Sequence, residues 1–178
     1  MSDVNLLDMY SRATQEAFRL EAQQRYAVPA EDAQFRAFAE GLPIPSDPRV
    51  NRSMQVIRTA VASGCRIRRV HVVDLPLTAY LRYEMAAYRE NIDAGEEVNI
   101  AVRSWHPDLA VMTDDFVLFD PGSEHQALVW MRYDDQGQLT DRVYSDDPAD
   151  LALAARHREV ALAHAVPLRE FVSLADTG

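Results

Sequence analysis

Lysine is absent: all 18 basic residues are arginine. That removes every chemistry needing a lysine amine, including a Walker-type phosphate lysine, a Schiff base and a kinase-type nucleotide lysine. Cysteine occurs once, at Cys65, so there is no internal disulfide and no cysteine-based zinc knuckle. A lone cysteine opening an apolar strand reads as packing. No apolar run approaches the ~18–20 residues of a membrane helix. The start, Met-Ser-Asp-Val-Asn, lacks the basic and apolar regions of a signal peptide, so a cytoplasmic setting without membrane contact is expected.

What is present suits one compact domain over residues 1–178, with ordinary apolar content for a globular chain. The net charge of −10 is uneven. Residues 1–75 hold ten arginines against nine acids, whereas residues 76–178 hold eight against nineteen. An acidic chain repels phosphate backbones, which argues against direct nucleic-acid binding.

Helical spacing of Leu6, Met9, Tyr10, Ala13, Ala17 and Leu20 predicts a first helix over 3–22, capped by Asp3 or Ser2. On that wheel Arg19 and Glu21 form a solvated pair flanking Leu20. A second helix begins near Ala30 or Glu31 and stops at Gly41, and three prolines keep 42–48 extended. A third helix spans about 49–63. The first strand is Ile67–Val73, with His71 as a hydrogen-bonded strand histidine. A helix over 77–93 follows, with Leu77, Leu81, Met85, Tyr88 and Ile92 on its core face. Strands at 98–102, 116–119, 127–133 and 139–144 come next, the last two joined at Asp134-Asp135-Gln136-Gly137. The last long helix spans 149–165 and ends at Val166-Pro167-Leu168. The expected fold is α/β or α+β: a helical N-terminal segment, 1–63, and a sheet-containing core, 64–178. The core is a mixed sheet of about five strands with helices packed on it.

The main puzzle is Glu84, a carboxylate on the helix face that should bury apolar surface. Unpaired, it is costly or protonated, so it should meet an arginine, a tyrosine hydroxyl or a helix N-terminus. A structural ion pair between helix and sheet is the plain reading. Tyr80 lies beside it, and Arg82 points away. His157 and His164 share a stripe without further ligands, so neither a metal nor a cofactor is expected.

Several stretches together resemble a known family. They are Phe18-Arg19-Leu20-Glu21 with Tyr26-Ala27-Val28, and Arg69-Val70-His71-Val72-Val73 followed by Pro76 to Glu84. Asn91, Ala94-Gly95-Glu96, Asp115 to Asp120 and Ala165-Val166-Pro167 complete the set. The chain is similar to the actinobacterial family catalogued as domain of unknown function 6879, over nearly its whole length. That resemblance implies a bacterial, cytoplasmic setting near helix-turn-helix regulators and specifies no chemistry. The strand–helix–strand order also distantly resembles catalytically dead phospholipase D-like domains. Without lysine, the His-x-Lys-x4-Asp signature of the active enzymes is impossible here.

Two functional expectations follow. The first is a non-enzymatic module binding a small ligand or a partner, with a helix-turn-helix regulator as the candidate partner for the acidic half. The second is a small hydrolase-like acid/base enzyme acting on an anionic molecule. It would use Glu84 or Asp115 as base, Tyr80 as hydrogen-bonding partner, and Arg68 or Arg82 as anion holder. Trp105 and His106, in the loop 104–112, and Asp120 complete the candidate binding residues.

Overall fold

A computed structural model describes residues 4–45 and 47–175. Helix α1 (Leu6–Arg12) is capped by Asn5, whose side chain accepts the Asp8 N–H. The expected caps Asp3 and Ser2, like Ser46 of the proline linker, lie outside the described residues. The chain leaves α1 at Ala13 and forms strand β1 (Glu16–Glu21), so the single helix expected over 3–22 is corrected to a helix and a strand. Both faces of β1 are covered, and its polar face, Arg19 and Glu21, is turned inward and not to solvent.

A 3-10 turn (Pro29–Glu31) leads into α2 (Asp32–Ala39), and α3 (Pro48–Ala62) follows. Asp47 caps α3, with Pro48 in its first turn, where a missing N–H costs nothing. Strand β2 (Arg66–Val73) feeds α4 (Ala79–Asp93), started by Thr78, whose hydroxyl accepts the Leu81 N–H at 3.1 Å. Strand β3 (Glu97–Val102) follows, and the next loop contains a short helix, α5 (Pro107–Ala110). Strands β4 (Asp115–Phe119), β5 (Ala127–Tyr133) and β6 (Leu139–Ser145) form a meander. Helix α6 (Pro148–His164), the short strand β7 (Val166–Pro167) and helix α7 (Leu168–Ala175) complete the order.

The strands form one mixed sheet in the order β6-β5-β4-β1-β2-β3-β7. Strands β1, β2 and β3 are parallel, and the other pairings are antiparallel. Seven strands replace the expected five, the additions being β1 and the two-residue edge β7. The segment 1–63 is therefore not wholly helical, because its β1 lies between β2 and β4. Helix α6 is the last long helix, as expected, and the short α7 follows it.

One sheet face is apolar. Phe18, Leu20, Val70, Val72, Phe116 and Leu118 pack with Leu151, Ala154 and Ala161 of α6. The opposite face has two apolar flanks. Ala17, Ile67, Val117 and Val129 meet α3 through Met54 and Ile57, whereas Val73, Val98, Ile100 and Val102 meet Leu81, Met85 and Phe171. Between those flanks the same face carries Glu21, Arg69, His71 and Asp115, all buried, and Arg19, which is partly exposed. The expected core face of α4 holds at Leu81, Met85 and Tyr88. Ile92 is 44% exposed, because Ala94 and Glu96 take the buried positions at that end.

Candidate functional site

The covered polar strip is organised by charge pairing. On β1, alternation sends Arg19 and Glu21 to the same face, and an Arg19 Nη2 to Glu21 Oε1 contact of 2.8 Å joins them. Arg69, on the neighbouring strand, contacts Glu21 at 2.9 Å and Glu96 at 2.8 Å. The Asn91 amide donates to Glu96 at 2.6 Å. Burial alone raises the Glu21 carboxyl, but Arg19 and Arg69 outweigh it and hold Glu21 well below the usual carboxylate range. The solvated Arg19/Glu21 pair expected from the helical wheel is thus an ion pair whose carboxylate is buried and whose guanidinium is partly covered.

Glu84 approaches this strip from α4 and meets tyrosines. Tyr80 donates to its Oε1 at 3.3 Å and Tyr88 lies 3.3 Å from its Oε2. No arginine lies within ion-pair distance of it among the described residues; besides the two phenols, its contact across to the sheet is His71 Nδ1 at 3.6 Å. Burial, and then the charge on Glu21, push the Glu84 carboxyl up to about 8. His71 has both ring nitrogens engaged, by Tyr88 Oη at 2.8 Å and the Gln23 carbonyl at 2.9 Å, as expected of a hydrogen-bonded strand histidine. Burial lowers its affinity for a second proton.

Asp115 lies at the start of β4 and is fully buried. It accepts the Ala22 N–H at 2.8 Å and the Tyr26 hydroxyl at 2.5 Å. Burial, then Glu21, raise it to about 6. Tyr26 also stands 6.2 Å from the Tyr80 ring and 5.2 Å from the Tyr133 ring, linking the two raised carboxyls through aromatic packing.

Solvent reaches the protein beside this strip through a cleft of about 790 Å³. It opens where β1 ends and β4 begins, walled by the β5–β6 turn, at the carboxyl ends of the parallel strands where open α/β sheets place ligands. Arg25, Arg103 and Arg132 line it beside Asp114, Asp134 and Asp135, together with Gln23 and Tyr133. Gly137 adopts a φ of +79° and brings the turn against the chain at Arg25 and Ala27, where the Ala27 N–H donates to the Gly137 carbonyl at 2.9 Å. Arg103 is committed: it pairs with Asp74 and donates to the carbonyls of Leu109, Met112 and Ala22. Arg132 pairs with Asp114 at 2.6 Å. Arg25 is exposed and makes no side-chain ion pair or hydrogen bond among the described residues. A second cleft, of about 520 Å³, lies between the β4–β5 turn and the start of α6.

Tyr80, Glu84 and Asp115 line neither cleft. Tyr80 and Glu84 are brought together, while Asp115 joins them only through Tyr26. Arg68 points to the other face and pairs with Glu16 and Glu97, so it does not share their site. Arg82 is exposed on the outer side of α4, as its wheel position indicates. Trp105 is 45% exposed and packs on Phe171, with ring centroids 6.3 Å apart. His106 caps α5 by accepting the Asp108 N–H and stacks on His164 at 3.9 Å. Asp120 accepts the backbone N–H groups of Thr14, Gln15 and Glu16, which fastens the entry to β1. Cys65 is buried, and burial pushes its thiol up to about 11, consistent with packing.

The cleft residues Gln23, Gln24 and Arg25 carried no sequence signal, since they fall just past the helix expected over 3–22. The signal that finds them is a polar run at the end of a parallel strand, visible once β1 is known. Among the described residues, no group of three or more histidine, cysteine or acidic side chains is placed to hold a metal, and no helix is long and apolar enough to cross a membrane.

Residues 5–173 match the model of a family described as domain of unknown function (DUF6879). No curated protein matches. Among solved structures, the chain is similar to Nuc, a phospholipase D family member from Salmonella typhimurium. The TM-score is 0.53 at 11% identity, over 91% of this chain and 87% of that one. The chain also aligns with TrmBL2, an archaeal chromatin protein, with a TM-score of 0.46 and 9% identity, over 91% of this chain and 48% of that one. At these identities the likeness to Nuc concerns the fold alone.

Proposed function

This chain belongs to the DUF6879 family, and from that premise we propose that it is a non-enzymatic binding module whose cleft at the end of β1 takes a small anionic ligand. The observation that carries this reading is Arg25. It is a cation in the cleft with no partner among the described residues, beside two arginines already committed. A planar guanidinium suits a carboxylate or phosphate group, and Gln23 adds a nearby amide. Gln23 donates one side-chain N–H to the Thr113 carbonyl at 3.2 Å, and the second hydrogen of that amide is the one an anion's oxygen can take.

Separation of the cleft from the raised carboxyls favours binding over acid/base catalysis. A general base must reach the proton it removes, and neither Glu84 nor Asp115 lines the cleft. The lysine-free composition supports the same reading for a phospholipase D-like fold. The acidic half supports a further role in docking on a basic partner, with a helix-turn-helix regulator as the proposed partner.

The test is a thermal-shift screen of small carboxylates, phosphates and nucleotides against wild type and Arg25→Ala. A ligand that stabilises wild type and binds Arg25→Ala at least about tenfold more weakly supports the proposal, in line with ~1.5–3 kcal/mol for a hydrogen bond to a charged group. Stabilisation indifferent to Arg25, absence of stabilisation by any compound, or turnover of the bound compound would each count against it.

A further inference from the structure

We infer that Glu84, Tyr88 and His71 hold one buried proton in common between α4 and the sheet, and that losing it loosens α4. The inference starts from hydrogen-bond bookkeeping. His71 Nε2 faces the Gln23 carbonyl at 2.9 Å, and a carbonyl only accepts, so Nε2 carries a hydrogen. His71 Nδ1 faces Tyr88 Oη at 2.8 Å. The same phenol oxygen lies 2.7 Å from Glu21 Oε2 and 3.3 Å from Glu84 Oε2. With His71 neutral and both carboxylates ionised, three lone-pair groups converge on one phenolic hydrogen. One additional proton resolves this. On Nδ1 it donates to the phenol, which in turn donates to Glu21; on Glu84 it makes that carboxyl a neutral donor beside Tyr88 and 3.6 Å from Nδ1. Both placements give the group the same total charge.

The surrounding charges lead to the same conclusion. From β1 and β2, Arg19 and Arg69 face the group, but they are matched by Glu21 and by Glu96 of the α4–β3 turn. The remaining neighbours supply no cation. From the 3-10 turn, Glu31 accepts from Tyr80 at 3.1 Å, and that phenol also contacts Glu84. Beyond Tyr26, β4 contributes Asp115 and β5 contributes Tyr133. An ionised Glu84 is therefore an unmatched charge in a covered site. Burial and Glu21 raise Glu84 to about 8, and burial lowers His71.

The sign of the pH effect follows. A raised carboxyl contributes stability that is complete below its unfolded value and is lost as pH climbs toward the folded value, here from about 4.5 to about 8. The lowered His71 acts oppositely, but only below its ordinary 6.5, and the contribution of Asp115 ends near 6. Glu31 is raised as well, so a variant is needed to isolate Glu84.

The test is denaturant unfolding of the full chain between pH 6.5 and 8, in wild type and Glu84→Gln. The wild-type unfolding constant is expected to rise toward tenfold per pH unit, with most of that slope lost in the variant. A flat wild-type profile, or an equal slope in the variant, overturns the inference. Should Glu84→Gln not fold, the carbon-13 carboxyl resonance of Glu84 and the nitrogen-15 resonances of His71 in wild type decide: a Glu84 midpoint near 8, or a His71 imidazole still protonated at pH 7, supports a retained proton, whereas a Glu84 midpoint below 5 with His71 neutral at pH 7 overturns it. Loosening is read by amide exchange along α4 over the same range. Acceleration beyond the intrinsic effect of pH supports it, and exchange following the intrinsic effect alone overturns that half of the inference.

Discussion

Glu21 receives two guanidinium contacts and a phenolic hydroxyl, so the electrostatics of the covered strip turn on its neighbours. Arg69→Met removes the cation shared by Glu21 and Glu96 and leaves carboxylates uncompensated. The expected loss is ~3–5 kcal/mol in urea denaturation at neutral pH. Because Arg69 helps hold Glu21 low, it supplies stability that is present above the ordinary carboxyl range and lost as pH falls. The gap between wild type and Arg69→Met should therefore narrow on acidification, and a gap that widened would contradict this account. Tyr26→Phe removes one of the two hydrogen bonds to Asp115 and should cost ~1.5–3 kcal/mol. It should also move the carboxyl above its present value of about 6, because the lost hydrogen bond favours the ionised form; a carboxyl NMR titration checks the direction. Glu84 was legible in the sequence as a misplaced carboxylate, since the wheel of α4 places it among Leu81, Met85 and Tyr88. Its lack of an arginine partner was not, because the nearby arginines are committed across strands that no local pattern joins.

At the scale of the element, β1 shows why periodicity misleads at the centre of a sheet. Ala17 and Leu20 share a helical face by spacing, yet on the strand they enter opposite cores. Arg19 and Glu21 resemble the solvated side of a helix because the other partners of Glu21, Arg69 on β2 and Tyr88 on α4, are remote in sequence. Helices α2, α3 and α4 were legible because proline, glycine and capping residues mark their ends and one face of each is polar. The β5–β6 turn was legible from its Asp-Asp-Gln-Gly sequence, and its docking supplies an element-scale prediction. A Cβ added at Gly137 would lie 2.6 Å from the Arg25 carbonyl oxygen, at a φ of +79°. At Gly122, φ is +80° with no atom within 4 Å, so Gly122→Ala isolates the backbone cost of ~1–2 kcal/mol. Gly137→Ala should cost more than Gly122→Ala in thermal unfolding and should weaken any ligand that depends on Arg25. Equal losses would show that the turn is not held against Arg25 as the structure describes.

Across the whole molecule, the chain places its earliest strand at the centre and its latest at an edge. Strand β1 is the only connection between the antiparallel meander β4–β5–β6 and the parallel pair β2–β3 in the strand order. It also contributes Phe18 and Leu20 to one core and Ala17 to the other. Long-range pairing of this kind leaves little local trace, so a helical N-terminal segment beside a sheet was a natural but incorrect division of the sequence. Deleting residues 1–21 should expose unpaired edges on β2 and β4 and end cooperative unfolding, leaving an aggregation-prone chain. Deleting residues 166–178 removes edge strand β7 and uncovers the flank where Leu168 and Phe171 meet Val98 and Ile100. That deletion should lower the melting temperature while preserving a single transition, since the sheet from β6 to β3 keeps every internal pairing. Calorimetry of the two truncations separates the roles. Cooperative melting without residues 1–21 would mean that the two halves of the sheet hold together without β1, and the central position assigned to that strand would then carry no energetic weight.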